Sequence, residues 1–111
     1  MTPELQRLLY ERYPDFFSQR TWSIQESCMP WGCDTNDGWF SLIDAAAETI
    51  TGHADALGRP ASQASQVKEK YGSLRIYLSC GDDFDHAVTD LAELLSIWFC
   101  EITGRPGRLV D

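Results

Sequence analysis

Four cysteines (Cys28, Cys33, Cys80, Cys100) and two histidines (His53, His86) are the side chains of this 111-residue chain best suited to chemistry. Thiolates and imidazoles hold zinc, and a thiol beside an imidazole makes a nucleophile. Zinc would need the four sulfurs to meet. They form no Cys-x-x-Cys pairs, and Cys100 falls inside a helical apolar pattern, so they read as small buried side chains. Cys80 precedes His86 by six residues across a helix start. A turn cysteine near a surface histidine is the plain reading of that pair. Asp82, Asp83 and Asp85 cluster where a helix begins, which capping and the helix dipole explain. Asp34, Asn36 and Asp37 resemble the opening of a calcium loop, but Gly38, Trp39 and Phe40 break the pattern and no glutamate closes it. The chain has no phosphate loop, dinucleotide glycine fingerprint, nucleophile elbow or zinc-protease helix. The expectation is a non-enzyme with no catalytic residue, no metal ligand set and no cofactor. The competing enzymatic reading is a small metal- or thiol-dependent site on the Cys28–Asp37 loop, near Cys80 and His86.

Charge narrows the partners. The formal net charge is -8, and phosphate binding needs Lys and Arg, so direct contact with nucleic acid is not expected. No Lys or Arg lies between Arg20 and Arg59, where six acids do; none lies between Arg75 and Arg105, where six more acids do. Two helical stretches therefore carry only acids on their polar faces, with a basic hairpin (Lys68, Lys70, Arg75) between them. Solubility alone would account for such a surface, and so would a basic partner. No apolar run is long enough to span a bilayer and no signal peptide follows Met1, so no membrane partner is expected and a cytoplasmic location is.

The elements that must position these groups follow from periodicity. Thr2 caps a first helix with Pro3 at its first position; Leu5, Leu8, Leu9 and Tyr13 share a face, and Pro14 ends it. Trp22, Ile24 and Glu26 alternate as a short strand. Ser27 to Gly38 is an irregular loop bracketed by Met29, Trp31 and Trp39. Asp37 caps a second helix to about Ile50, whose stripe is Trp39, Leu42, Ile43, Ala46, Ala47 and Ile50, with Asp44 and Glu48 outside. Leu74, Ile76 and Leu78 alternate with Ser73, Arg75 and Tyr77, the mark of a half-buried strand. A two-residue Tyr71-Gly72 turn pairs Val67 with Ile76 and Lys68 with Arg75, though a longer turn or a helical 62–70 segment also fits. Two like charges across a pair call for an acid nearby. Asp82 or Asp83 caps a last helix in which Phe84, Val88, Leu91, Leu95, Trp98 and Ile102 recur at steps of four and three, widened by Ala87, Leu94 and Phe99; Gly104 ends it. That stripe predicts a core helix lying across the sheet. The fold class is α+β in a single domain spanning 1–111: about three helices on a short antiparallel sheet centred on a 65–79 hairpin, with a loosely ordered 105–111 tail in which Leu109 and Val110 alone are apolar enough to pack.

Several blocks together resemble a group of small uncharacterised bacteriophage and prophage proteins. These are Glu11-Arg-Tyr-Pro with Phe16-Phe17, the Met29-x-Trp31-Gly32 loop, and Asp37-Gly38-Trp39 with Leu42-Ile43-Asp44. The most specific is Gln66-Val-Lys-Glu-Lys-Tyr-Gly-x-Leu74-Arg75-x-Tyr77, and Cys100-Glu101-x-x-Gly104-x-Pro106-Gly107 is similar too. Members of the group place a second cysteine at the position of Thr103 and continue into a Cys-x-x-His segment, a zinc knuckle that this sequence does not reproduce. The resemblance implies no activity. It implies the context of small phage accessory proteins, which often inhibit host machinery, CRISPR effectors included. The expected function is thus a non-catalytic phage or mobile-element protein that binds the basic surface of a host protein, as an acidic, anti-CRISPR-like inhibitor. Asp44, Glu48, Asp85, Asp90 and Glu93 are the candidate contacts. A self-assembling accessory module, a homodimer, is the structural alternative.

Overall fold

The Tyr71-Gly72 hairpin is present in the computed structural model, which describes residues 1–107. β2 (Ala64–Lys70) and β3 (Ser73–Leu78) are antiparallel, with Val67 opposite Ile76, Lys68 opposite Arg75 and Lys70 opposite Ser73. A two-residue turn twisted this way needs positive φ at both central positions, and both have it: Tyr71 at 54° and Gly72 at 82°. Glycine adopts that geometry freely; tyrosine does so under strain, held by the Glu69 carboxylate, which accepts the Gly72 N–H at 2.8 Å. The acid that the Lys68–Arg75 pair called for comes from the last helix, where Glu93 lies 3.3 Å from Arg75.

A third strand, β1 (Cys33–Asp34), pairs with β2 in parallel, so the sheet is mixed rather than purely antiparallel, in the order β1-β2-β3. Three helices accompany it: α1 (Pro3–Arg12), α2 (Phe40–Leu57) and α3 (Asp83–Ser96). The core gathers Leu9, Phe16, Phe17, Met29, Trp39, Ile43, Ile50, Val67 and Leu74, among others. None of the described helices is long and apolar enough to cross a membrane.

Local chemistry departs from the expected boundaries at several points. Thr2 precedes α1 in extended backbone, but its side chain makes no capping bond. The Trp22–Glu26 segment is not a strand. The Ser23 hydroxyl accepts the Gln25 N–H while its carbonyl accepts from Glu26 and Ser27, so the chain turns locally and leaves Trp22 and Ile24 exposed. Asp37 does not cap α2; its carboxylate accepts the Thr2 N–H at 2.8 Å. α2 also continues past Gly52 to Gly58, whose left-handed backbone (φ 65°) stops it. Thus His53 lies within the helix, beyond the expected end near Ile50. α3 in turn stops at Ser96, because the chain beyond folds back: Gly107 donates to the Trp98 carbonyl, Cys100 to the Arg105 carbonyl, and the Trp39 indole N–H to the Phe99 carbonyl. Gly38 makes room for this return, since a Cβ there would run into the carbonyl oxygens of Cys100 and Glu101. The tail is therefore paired over 105–107, and Leu109 and Val110 lie outside the described residues.

Candidate functional site

The largest departure is the rotation of α3 about its own axis. Its buried residues are Asp85, Thr89, Ala92 and Ser96, the small and polar side of the helix. Phe84, Leu91, Leu94, Leu95 and Trp98, followed by Ile102, are all exposed, Leu94 at 60% and Ile102 at 72%. Most of the expected core stripe faces out, while Val88 and Phe99 pack half-buried against the core. The reason lies at the sheet edge. β3 is a terminal strand, and α3 covers it: the Ser96 hydroxyl accepts the Leu74 backbone N–H at 2.9 Å, with Ser96 and Leu74 both fully buried. An unpaired strand edge needs polar partners and a close approach, which small residues allow and leucines do not. At the other end, Asp85 packs inward and forms a reciprocal capping box with Asp82.

Between α2 and α3 the surface dips into a groove of about 140 Å³ lined by Leu42, Ala45, Thr49, Val88, Leu91 and Leu95. The outward face is therefore apolar along its centre. By helical spacing, Asp90 and Glu93 border it on the far side of α3, and Glu48 on the far side of α2. α2 and α3 together contain no Lys or Arg.

The five candidate contact acids fare differently. Glu48 and Asp90 are exposed, with no ion pair among the described residues. Glu93 is half-buried and holds Arg75. Asp44 is engaged by Arg12 at 3.0 Å and by the Tyr13 hydroxyl at 2.7 Å; burial, then that hydrogen bond, push the Tyr13 phenol up to about 12. Asp85 is not a surface acid at all, being 2% exposed. It turns inward because the Asp82 N–H of the capping box and the Ser62 hydroxyl (2.5 Å) both donate to its carboxylate.

The thiols do not assemble. Cys28, Cys80 and Cys100 are exposed and Cys33 is buried, and the metal-competent grouping among the described residues contains none of them, nor any acid of the Cys28–Asp37 loop. Sequence reasoning missed that grouping, His53 with Asp82 and Asp85. Asp82 bridges α2 and α3: its Oδ2 lies 2.7 Å from His53 Nε2 and 2.6 Å from the Arg59 guanidinium. The His53 hydrogen bond, then the Asp85 N–H and Arg59, hold the Asp82 carboxyl far below the usual carboxylate range. Phe84 stacks on the His53 ring at 4.1 Å. Beside the cluster opens a cleft of about 500 Å³ lined by Arg59, Ser62, Gln63, Ser79, Cys80 and Asp82. No signal in the sequence linked His53 to Asp82, because 29 residues separate them.

No family model, curated protein or solved structure matches the chain.

Proposed function

We propose that this protein is a non-catalytic binding module that docks a partner protein on the exposed face of α3 and its groove with α2. The observation that carries the reading is the apolar row Phe84, Leu91, Leu94, Leu95 and Trp98, turned outward from the core and bordered by acids. An apolar centre with a polar rim is the anatomy of a protein interface, and so contiguous an exposed patch is uncommon on a surface that meets only water.

The chemistry of the partner follows from charge. A second copy laid face to face would bring Asp90 and Glu93 against acids of the same kind, since neither helix carries a cation to answer them. The occupant is instead a protein offering an apolar ridge flanked by Lys or Arg, such as the basic groove of a nucleic-acid-handling complex. That agrees with a phage-encoded inhibitor of a host defence complex, anti-CRISPR-like, acting in the host cytoplasm. Glu48, Asp90 and Glu93 remain contacts in this reading, while Asp85 and Asp44 do not.

Competition provides the test. Purified wild type and the Leu91→Ser/Leu94→Ser and Asp90→Lys/Glu93→Lys variants would be assayed for blocking guide-RNA loading or DNA binding by purified CRISPR effectors. Wild type should block, the leucine pair should lose most of the effect, and the charge reversal should weaken it and flatten its salt dependence. If wild type blocks none while forming a concentration-dependent dimer that the leucine pair abolishes, the self-assembling reading replaces this one.

A further inference from the structure

Where the later turns of α2 meet the start of α3, a ligand-bearing group forms that touches the docking face only through Phe84 and goes beyond the function proposed above. His53 Nε2 and one oxygen each of Asp82 and Asp85 all lie within 4.8 Å of one another. Helix capping uses one oxygen of each carboxyl and leaves the other: Asp85 Oδ2 accepts the Asp82 N–H and the Ser62 hydroxyl, and Asp85 Oδ1 is uncommitted. The Asp82 oxygen that accepts the Asp85 N–H is Oδ1; Oδ2 is the one turned to His53 and Arg59.

A second observation points to a missing ligand. Asp85 is 2% exposed, yet its Oδ1 has no hydrogen-bond partner among the described residues. It belongs to the carboxyl group that the cluster includes. A buried anionic oxygen left without a donor is costly, and a cation is the simplest cure. The present cation is Arg59, at 2.6 Å from Asp82 Oδ2 but 3.8 Å from Asp85 Oδ2. It serves Asp85 poorly. Its side chain is 43% exposed and follows the left-handed Gly58, so it can swing out into solvent.

The geometry points to a site for a transition-metal dication, zinc foremost, held by His53 Nε2, Asp82 and Asp85 and entered by displacement of the Arg59 guanidinium. One imidazole with two carboxylates suits zinc and its neighbours rather than magnesium or calcium. Three protein donors leave a fourth position for water. The supports that orient such ligands are in place: Ser62 donates to Asp85, the Asp85 N–H to Asp82, and Phe84 stacks on the imidazole. Charge balances as well. Two carboxylates with one guanidinium carry a net single negative charge, and exchanging the guanidinium for a dication brings it to zero.

Metal-free full-length protein titrated with Zn2+ by calorimetry, and with Co2+ by absorption, tests the assignment. One metal per chain is expected, with Co2+ showing weak d–d bands and no thiolate charge transfer. His53→Ala should weaken binding at least about 100-fold, since even outer-shell partners are worth 10–100-fold. Arg59→Ala should tighten it by about 2–5-fold, the range an exposed ion pair is worth. Neither change touches the core, and circular dichroism of both variants confirms their fold. Binding weaker than about 1 mM, unchanged affinity in His53→Ala, or a thiolate band that traces the metal to the exposed cysteines would each overturn the site.

Discussion

Replacing Ser96 by alanine, set beside Leu94→Ala, measures which side of α3 faces the core. Ser96 is 1% exposed; its hydroxyl accepts the Leu74 N–H at 2.9 Å and donates to the Glu93 carbonyl at 2.6 Å. Removing it strands a buried N–H at about 1–3 kcal/mol, while the higher helix propensity of alanine returns up to about 0.5 kcal/mol. The net expectation is a loss of about 1–2.5 kcal/mol. Leu94 is 60% exposed. Burying a whole leucine is worth roughly 1.5–3 kcal/mol, so its sheltered two-fifths should cost about 0.6–1.2 kcal/mol when trimmed. Urea unfolding at two protein concentrations gives both values and keeps self-association out of the comparison. Were the apolar stripe inside instead, Leu94→Ala would cost about 2–5 kcal/mol and Ser96→Ala would fall within about 0.5 kcal/mol of zero. Finding that order would refute the orientation of α3 and with it the docking face.

Other consequences are open to measurement. Burial pushes the Cys33 thiol up to about 12, while hydrogen bonds led by the Thr103 side chain lower that of Cys100; iodoacetamide mapping at neutral pH should label Cys100 fastest and Cys33 only after unfolding. Tyr10 and Tyr13 are both raised from 10 to about 12, chiefly by burial. Because the folded values lie above the unfolded ones, their contribution is intact below pH 10 and lost as pH climbs towards 12, so urea midpoints should fall across that window. Tyr71→Asn places a residue tolerant of positive φ in the turn and should raise stability by about 0.5–1 kcal/mol in thermal melts; a lower melting temperature would count against the strained turn. Gly38→Ala sets a Cβ against two backbone carbonyls and should cost about 1–3 kcal/mol, visible as earlier proteolysis of the 97–107 segment.

Local signals carried well where the chain decides alone. Alternation at Leu74, Ile76 and Leu78 was enough for the second strand; of the turns left open, the two-residue one is present and gives the Val67–Ile76 and Lys68–Arg75 pairs, because a period of two admits one pairing per turn length. Helix existence was equally legible at Pro3, Phe40 and Asp83. Ends were not. The helix expected to end near Ile50 runs on through Gly52, because one glycine in a helix costs only about 1 kcal/mol and the turns beyond it bury Ala54 and bring His53 to Asp82.

The amino-acid sequence by itself determined the α+β class, the central hairpin, three helices and a charge map with acids on both long helices. Only the tertiary structure decided which side of α3 meets the protein. Periodicity reports that a helix has an apolar side and assumes that side goes in; it knows nothing of a strand edge whose free N–H groups need Ser96 and whose closeness needs Ala92. Once those small residues are spent on β3, the leucines have nowhere to go but outward. The same packing step brings Asp82 and Asp85 to His53, a meeting across 29 residues that no spacing in the chain announces.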